Sequence, residues 1–548
     1  MTPNPPTELS VIIASHNRRE LLRRCLDSLA KQTQDLGTLE VIVADDGSTD
    51  GTAEMVGQLE PTFRLRLLKL EKGGKSSALN AGIEAAAGPV CLFLDDDIVA
   101  SPELVAEHLA LHREEPRAIG IGALTQQPPA SRDWYAHAYA KSWNDRYEKL
   151  PDKYVDWIDC YGANLSASRA ALNEVGGFST ELDAVEDLEL GFRLSQIGCV
   201  PTYLPRAHGI HDDQKPRKRI LAHTRRFGAC CAEFARREPA MGSRPINWFT
   251  QPTARDVTLR RLFLALRLPP ASLALIGRLL PGAGPRQLWF GFISRYTFWL
   301  GVRTSMSRRE WVRATRGMPV LMYHAFSDDG ERKRFIVGKQ AFARQMRLLA
   351  MLRYRVIAFE DLVRDLREGR SPPRRTVAIT IDDGYADILE VAHPILHRHA
   401  FPATIFLVSA KLSGANDWDD RIETAGRPLL SGEQIMRLRA DGIQFGSHTR
   451  THRRLSGATN DMLALEIGVS RKDLERSLEE PILTFAYPYG DLDREVVEAT
   501  GAAGFLGACT VEPRLVQVGE DPLRVPRIEI RGTDSLWHFL RKLWFGGV

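Results

Sequence analysis

Cysteine is scarce in this chain and follows no motif. Seven cysteines occur among 548 residues, their number is odd, and no two of them form a C-x-x-C pair. This pattern excludes a disulfide-stapled secreted scaffold and argues against a cysteine-based zinc or thiol-redox motif. Most of the cysteines lie in apolar runs, so we expect them to remain reduced.

Long hydrophobic runs are also absent. No uncharged apolar stretch reaches the roughly 18 residues that a membrane-spanning helix requires. The N-terminal residues Met1–Glu8 are polar and rich in proline, and they lack the basic and apolar regions of a signal peptide. The sequence therefore predicts a cytoplasmic protein, with peripheral attachment to the inner membrane as a further hypothesis.

Neither sign of charge dominates the chain. It has 73 lysines and arginines against 69 aspartates and glutamates, a net charge of +4, and this balance predicts no nucleic-acid partner. A length of 548 residues exceeds what one hydrophobic core supports. We expect an N-terminal domain over residues 1–240, a connector over 241–315 and a C-terminal domain over 316–548.

Acidic residues are missing from the connector. None occurs between Asp256 and Glu310, whereas arginines recur there among Leu, Phe and Trp. Prolines at 269, 270, 281 and 285 interrupt the segment, so it is not expected to span a membrane. One interpretation is a set of helices lying in the surface of an anionic inner leaflet. The alternative is a platform on which the two domains pack.

The first half alternates strand-like and helical patterns, which predicts a parallel α/β sheet. Three apolar runs end in polar clusters, namely Leu9–Ala14 before Ser15–Asn17, Leu39–Ala44 before Asp45–Ser48, and Val90–Leu94 before Asp95–Asp97. Ligands bind at the carboxyl ends of such strands. Three adjacent carboxylates repel one another unless a cation is near, and their hard oxygens suit Mg²⁺ or Mn²⁺.

These motifs resemble family 2 glycosyltransferases, whose nucleotide-sugar-binding fold is called GT-A. The resemblance implies a doubly wound mixed α/β sheet. The resemblance covers residues 8–235 and rests on five stretches in the family's order. They are V-I-I-A-S-H-N from Val11, V-I-V-A-D-D-G-S-T-D-G-T from Val41, K-G-G-K-S-S-A-L-N-A-G from Lys72, L-D-D-D from Leu94, and V-E-D-L-E-L-G-F-R-L from Val185.

The resemblance implies a role for individual residues. Asp97 would bind the metal, with His211 completing the shell and His208 as the alternative. Asp187 would be the general base that deprotonates the acceptor hydroxyl, giving inversion at the anomeric carbon. The nucleotide sugar would contact Ala14, Ser15, Asn17, Asp46, Lys75, Asp95 and Asp96.

The second half starts a new α/β pattern at Met318, which predicts a partial or complete (β/α) barrel. Asp382 and Asp383 follow the strand-like run Thr376–Ile381, and His448 and His452 follow the run that ends at Gly446. One carboxylate and two imidazoles can therefore meet at one barrel mouth. Two nitrogens and one oxygen around an open position are typical of a hydrolytic zinc site.

These residues resemble the polysaccharide deacetylases of carbohydrate esterase family 4, also called the NodB homology domain, over residues 317–535. By this resemblance Zn²⁺ or a similar ion would be held by Asp383, His448 and His452. Asp382 would be the general base for the attacking water. Tyr487, Pro488 and Tyr489 would line the substrate groove, and the backbone N–H of Tyr489 would face the oxyanion.

The sequence departs from this family at two points. Many members have an arginine, which orients the base aspartate, where Ala486 stands here. Many also have a late histidine that acts as the acid, yet no histidine occurs between His452 and His538. His538 lies in a helical pattern that favours a structural role, so His324 is our candidate for the acid.

Together these patterns predict a bifunctional enzyme of surface or exopolysaccharide biosynthesis. It would transfer a sugar from a nucleotide donor to a glycan or polyprenyl-linked acceptor and remove an N-acetyl group from the product. UDP-N-acetylglucosamine as donor is inferred from the deacetylase pattern alone. Two alternatives stay open, a catalytically inactive, glycan-binding second domain and a subunit of a processive polysaccharide synthase.

Overall fold

The computed structural model describes residues 6–546 apart from 152, 183, 213, 239–261, 315–316, 332, 371–372, 374, 419–422 and 518. The chain divides into two compact units. The first comprises Met1–Arg237 with Phe263–Ser305, and the second comprises Glu238–Leu262 with Met306–Val548. The predicted connector over residues 241–315 lies partly outside the described residues, and its residues Phe263–Ser305 pack with the first unit.

The first unit is built on one mixed sheet. Its described strands are β1 Leu9–Ser15, β2 Leu39–Asp46, β3 Arg64–Leu70, β4 Val90–Leu94, β5 Ile98–Ala100, β6 Ala118–Gln126, β7 Asn164–Ser168 and β8 Val200–His211. They lie in the order β3-β2-β1-β4-β7-β6-β8-β5. The first four in this order are parallel, whereas β7 runs antiparallel to both β4 and β6. This confirms the predicted α/β class with a mixed sheet.

Helices cover this sheet. Those described are α1 Arg19–Leu29, α2 Thr52–Gly57, α3 Lys75–Ala85, α4 Leu104–Glu114, α5 Trp134–Tyr147, α6 Arg169–Glu174, α7 Glu186–Gln196, α8 Arg217–Arg237, α9 Pro270–Ile276 and α10 Ala283–Ser305. Strand β1 is apolar almost throughout because both of its faces are covered. Helix α3 approaches β1 closely, since a Cβ on Gly82 would lie 2.3 Å from Cγ2 of Ile12.

The aromatic half of the connector belongs to the core of the first unit. Helices α8 and α10 cross in close contact, because Gly228 faces the carbonyl of Phe298 and Gly301 faces the carbonyl of Arg225. Lipid contact was one of the two interpretations of this segment. Five of the aromatic residues of α10 are buried, namely Phe290, Phe292, Tyr296, Phe298 and Trp299. These five rings therefore stabilise the first unit and are not available to a membrane.

Two buried histidines make the first unit sensitive to acid. The ring nitrogens of His108 lie 2.8 Å from Ser166 Oγ and 3.0 Å from Asn164 Oδ1, and His112 Nε2 lies 2.8 Å from the same Ser166 oxygen. Burial lowers the pKa of His108 to about 3 and that of His112 to about 4. In the unfolded chain both histidines bind protons below about pH 6.5.

We expect the first unit to lose stability as the pH falls below about 6.5. Each histidine lowers the free energy of unfolding by about 1.4 kcal/mol per pH unit, because protons then bind the unfolded chain in preference to the folded one. Hydrogen exchange of the backbone amides of β6 and β7 at pH 7 and pH 5, corrected for intrinsic exchange rates, measures this loss of stability. His108→Gln should reduce the pH dependence, and the exposed His137→Gln should not; an equal slope in all three proteins would contradict the assignment.

The second unit is built on a curved parallel sheet. Its described strands are β9 Val320–Tyr323, β10 Ala325–Ser327, β11 Ile336–Gly338, β12 Arg355–Ile357, β13 Thr376–Ile381, β14 Thr404–Leu407, β15 Gln444–Ser447, β16 Thr484–Ala486, β17 Gly507–Cys509 and β18 Ile528–Glu529. The main sheet has the order β17-β16-β15-β14-β13-β9-β18, with β12 also on β13. A bridge between Cys509 and Val525 connects its two ends. The predicted barrel-like fold is confirmed.

Helices surround this sheet as well. Those described are α11 Arg308–Ala314, α12 Lys339–Met351, α13 Phe359–Arg367, α14 His393–Arg398, α15 Gly432–Ala440, α16 Asn460–Leu463, α17 Ser470–Leu478, α18 Arg494–Ala502 and α19 Leu536–Phe545. Helix α13 shows why they pack, since it buries Phe359, Leu362, Val363 and Leu366 at helical spacing. Among the described residues, no helix is both long enough and apolar enough to cross a bilayer.

Candidate active sites

The first candidate site lies at the carboxyl ends of β1, β2 and β4. Ser15 is level with Asp45 in the parallel register, and Leu9 is level with Val90. The acidic triplet Asp95–Asp97 follows β4 directly, so the three polar clusters meet at one edge of the sheet. This is the arrangement that the strand pattern predicted.

Cationic side chains already balance part of the triplet's charge. Arg18 donates to Asp96 Oδ1 at 2.8 Å and to Asp97 Oδ2 at 2.6 Å. Lys75, at the start of α3, lies 2.7 Å from Asp95 Oδ1, and Ser15 Oγ donates to Asp96 Oδ2 at 2.7 Å. The sequence motifs did not identify Arg18 as a residue of this site.

One carboxylate oxygen of the triplet is suited to bind a cation. Oδ1 of Asp97 is buried and makes no hydrogen bond, and it lies 3.0 Å from His211 Nε2. Asp95, Asp97 and His211 place ligand atoms within 4.8 Å of one another. His208 instead contacts Thr125 Oγ1 at 2.7 Å. The donor set around Asp97 fits a divalent ion such as Mg²⁺ or Mn²⁺.

The protonation of the triplet follows from burial and from these neighbours. Burial raises the pKa of Asp96 to about 7 against the attraction of Arg18, and the charges of Asp97 and Asp95 add to the rise. Burial also opposes ionisation of Asp97, yet His211 and Arg18 hold the pKa of its carboxyl well below the usual range. Asp97 therefore stays ionised more readily than Asp96.

The residues expected to bind the nucleotide surround this edge. Asp46 accepts hydrogen bonds from the backbone N–H groups of Gly73 at 2.6 Å and Gly74 at 3.0 Å, which fixes the loop that leads into Lys75. Asn17 has a left-handed backbone with φ 54° and accepts from the N–H of Thr49 at 2.8 Å. Ala14 is half-buried next to Ser15 in β1.

Asp187 lies at the start of α7, where it accepts two backbone hydrogen bonds. Gly162 N–H donates to Oδ2 and Leu188 N–H donates to Oδ1, both at 2.8 Å. Desolvation raises the pKa of Asp187, while Gly162 and Lys75 oppose the rise. Burial and Asp187 together raise the pKa of Glu186 to about 7. Lys75 Nζ lies 3.9 Å from Glu186 and thus connects this pair with Asp95.

The second candidate site lies at the carboxyl ends of β13 and β15. Asp383 Oδ1 is 3.2 Å from His452 Nε2 and 3.5 Å from His448 Nε2, and all three residues are buried. His448 Nδ1 is 2.7 Å from the carbonyl oxygen of Ala486. That contact requires a proton on Nδ1, so Nε2 presents its lone pair to Asp383.

This arrangement fits a zinc-like ion. Asp383 Oδ1 and His452 Nδ1 are buried without hydrogen-bond partners. Burial lowers the pKa of His448 to about 4, so its imidazole is neutral, the form that binds metal. Left-handed backbones occur at Asp383, Thr449, His452 and Tyr489, with φ between 60° and 70°, and such strain concentrates at functional sites.

Arg527 is the residue that the sequence analysis missed. It lies just before β18, is fully buried, and donates to both oxygens of Asp382 at 2.6 and 2.7 Å. Its Nε donates to the Thr510 carbonyl at 3.0 Å. Burial opposes ionisation of Asp382, but Arg527 keeps the pKa of that carboxyl below its usual value. An arginine therefore binds the aspartate that was predicted to be the base, although Ala486 stands where many members of the resembled family have one.

The other residues that were predicted for the second site lie in different surroundings. His324 follows β9, and its buried Nδ1 has no hydrogen-bond partner. Tyr487 is fully buried, and its hydroxyl donates to the Leu523 carbonyl at 3.0 Å, so its side chain lies in the core. Pro488 is also buried. Tyr489 is exposed beside His452, with ring centroids 4.8 Å apart.

Two family models match separate stretches of the chain. The model described as "Glycosyl transferase family 2" matches residues 10–176, which contain Lys75 and the acidic triplet. The model described as "Polysaccharide deacetylase" matches residues 369–508, which contain Asp382, Asp383 and both histidines of the second site. Both matches agree with the families that the motifs resemble.

Individual relatives cover one half of the chain each. Validoxylamine A glucosyltransferase of Streptomyces hygroscopicus subsp. jinggangensis is 29% identical over 262 residues, which are 42% of this chain and 61% of the relative. The chain thus spans about three fifths of that protein. Poly-beta-1,6-N-acetyl-D-glucosamine N-deacetylase of Staphylococcus aureus is 24% identical over 230 residues, 40% of this chain and 76% of the relative.

A solved structure resembles the second half. The Streptococcus pyogenes deacetylase PplD in complex with acetate is 22% identical and covers 42% of this chain and 98% of its own, with a TM-score of 0.37.

Proposed function

We propose that this chain transfers an N-acetylhexosamine from a nucleotide donor and removes the N-acetyl group from the product. The chain combines a family 2 glycosyltransferase domain with a polysaccharide deacetylase domain. The observation that carries the proposal is that each half combines a group of possible metal ligands with a further carboxylate. These are the Asp97 group with Asp187 in the first half, and the Asp383 group with Asp382 in the second.

In the transfer step, Asp187 accepts the proton of the acceptor hydroxyl as that oxygen attacks the anomeric carbon. Its raised pKa favours this role, since a desolvated carboxylate is a stronger base. Lys75 lies between Asp95 and Glu186, where its ammonium group can stabilise the departing diphosphate. A divalent ion held by Asp95, Asp97 and His211 would supply further positive charge at the leaving group.

In the deacetylation step, Asp382 takes a proton from the water that attacks the acetamide carbon. Arg527 holds both carboxylate oxygens and so fixes the direction in which this base points. His324 is the proposed acid for the departing amine. The exposed Tyr489 and its backbone border the sugar. A divalent ion held by Asp383, His448 and His452 would polarise the acetamide carbonyl and lower the pKa of the water.

The combination of the two domains suggests the substrate. A UDP-N-acetylglucosamine-like donor would deliver the acetamido sugar that a deacetylase acts on, and one relative of the second half is named as an N-deacetylase of an N-acetylglucosamine polymer. Joining both sites in one chain raises the concentration of the first product around the second site, to about the millimolar range for short linkers. The acceptor we propose is a glycan or a polyprenyl-linked sugar.

An inactive, glycan-binding second domain remains the competing function because Ala486 replaces the usual arginine. The bidentate contact between Arg527 and Asp382 weighs against it, since it supplies the same interaction from another strand.

The test is mass spectrometry of products formed from UDP-N-acetylglucosamine and a polyprenyl-linked acceptor with Mn²⁺ and Zn²⁺. We expect a hexosamine adduct that lacks acetyl. Asp382→Asn should leave the adduct acetylated, and Asp187→Asn should give no adduct. Transfer without acetate loss in the wild-type protein would support the glycan-binding alternative, and no transfer would refute the donor or the acceptor.

We also propose that the end of α9, the start of α10 and the turn between them contact an anionic lipid surface. Leu279 and Leu288 are 84% and 79% exposed, and Leu275 and Ile276 are exposed next to them. Arginines accompany this turn, and the sequence has no acidic residue between Asp256 and Glu310. Apolar residues among cations are typical of a surface that lies in the membrane interface. Such contact would bring the transferase site to a lipid-linked acceptor.

We expect the double substitution Leu279→Ser and Leu288→Ser to weaken binding to vesicles containing anionic phospholipid by about tenfold or more. Burying one leucine contributes about 1.5 kcal/mol or more, which is about tenfold in affinity. Co-sedimentation at low and high salt measures the effect. Met351→Ser, which removes a 72% exposed apolar side chain from the second unit, is the matched control. Equal binding by all three proteins would refute the proposal.

A further inference from the structure

A second group of metal-type ligands lies in the second unit, away from the candidate active site. His393 and His397 are one helical turn apart on α14, and Asp441 directly follows α15. Residues i and i+4 of a helix share one face, so both imidazoles can reach the same point. A deacetylation mechanism based on Asp382 and Asp383 does not use any of these three residues.

The distances within this cluster match those of the candidate active site. His393 Nε2 lies 3.1 Å from Asp441 Oδ2, compared with 3.2 Å between Asp383 and His452. Two ligands of a tetrahedral zinc, each about 2.0–2.1 Å from the ion, lie about 3.3 Å apart. The ligand atoms of His393, His397 and Asp441 are all within 4.8 Å of one another.

An unsatisfied nitrogen provides independent support. His393 is only 9% exposed, and its Nε2 makes no hydrogen bond although it lies close to Asp441. A buried polar atom without a partner is rare in folded proteins, and coordination to a metal ion is one way in which such a nitrogen is satisfied.

The fold places this cluster at the opposite end of the sheet from Asp383. Asp441 precedes β15, whereas His448 follows the same strand. An ion between Asp441 and the two histidines would join the end of α15 to α14 at the amino ends of the strands. Positions at that face of a barrel act on stability rather than on catalysis.

We propose that His393, His397 and Asp441 form a structural site for a divalent transition metal of the zinc class, with water as the remaining ligand. Two imidazoles and one carboxylate are a donor set that zinc accepts. Arg437, on α15, is the nearby positive charge that opposes cation binding. The site is separate from both candidate active sites and does not depend on the proposed reactions.

The test is the zinc content of the full chain after gel filtration in zinc-free buffer containing excess Mg²⁺, which would compete with zinc for the oxygen ligands of the acidic triplet. We expect His397→Ala to lose one zinc per chain relative to the wild type, with unchanged acetate release. Asp383→Ala should lose a different zinc, so the two losses should add in the double variant. Zinc should raise the melting temperature of Asp383→Ala but not that of the double variant.

Two further variants make the assignment specific. His399→Ala removes a histidine just beyond α14 that is outside the cluster, and it should retain the zinc content of the wild type. Arg437→Gln should bind zinc more tightly because it removes the opposing charge. The proposal would be overturned if the wild type and His397→Ala contained equal amounts of zinc. It would also be overturned if His397→Ala and His399→Ala lost equal amounts of zinc.

Discussion

Replacing Asp187 by asparagine is expected to lower the kcat for sugar transfer by about 10²- to 10⁴-fold, the usual contribution of a general base. Asparagine has nearly the shape of aspartate but cannot accept the proton of the acceptor hydroxyl. The amide can satisfy only one of the two N–H donors, Gly162 or Leu188, that the carboxylate now accepts. The measurement is the initial rate of transfer at saturating donor, together with KM for the donor.

The control for this substitution lies two residues further along α7. Glu189 is also buried in α7, but it binds Arg193 through both oxygens at 2.6 Å and does not contact the candidate site. Glu189→Gln should therefore lower the stability of the first unit and leave the transfer rate of the folded protein close to that of the wild type. A similar loss of rate in both variants would mean that Asp187 acts through the structure of α7 and not as the base.

The sequence predicts the parts of the candidate sites that immediately follow strands. Val90–Leu94 was predicted as a strand and is observed with the same bounds, so the position of Asp95–Asp97 at its carboxyl end followed from local pattern. Thr376–Ile381 likewise places Asp382 and Asp383. In both cases a buried parallel strand fixes the direction of the residues just after it, which is a property of a short stretch of sequence.

Contacts between distant residues could not be predicted in this way. Arg527 and Asp382 are 145 positions apart, and they meet because β18 and β13 both pair with β9. The chain has 73 lysines and arginines, and no local motif distinguishes Arg527 from the others. Tyr487 shows the same limitation, since only the packed barrel shows that its ring points into the core.

Replacing Arg527 by methionine is expected to lower the rate of acetate release by about 10²-fold. The substitution leaves the carboxylate of Asp382 buried without the guanidinium that now binds both of its oxygens, and partners that orient catalytic groups typically contribute about 10- to 100-fold. Asp382→Asn, which removes the base itself, should cost about 10²- to 10⁴-fold. Acetate release from an N-acetylglucosamine oligomer measures both, and kcat should change more than KM.

Loss of a buried charge partner also costs about 3–5 kcal/mol of stability, so the unfolding of the second unit must be followed in parallel. Two variants separate positioning from folding. Arg527→Lys keeps the charge but cannot donate to both carboxylate oxygens in the same way. It should fold, yet its acetate release should stay slow.

Ala486→Arg added to Arg527→Met restores an arginine where many members of the resembled family have one. Ala486 is paired with Cys509 in the same apolar cluster as Phe406, and Arg527 lies 5.6 Å from the Phe406 ring, so the two positions are close. Recovery of acetate release in this double variant would show that Asp382 needs an arginine but not a particular strand to carry it, whereas wild-type activity in Arg527→Lys would refute the positioning role.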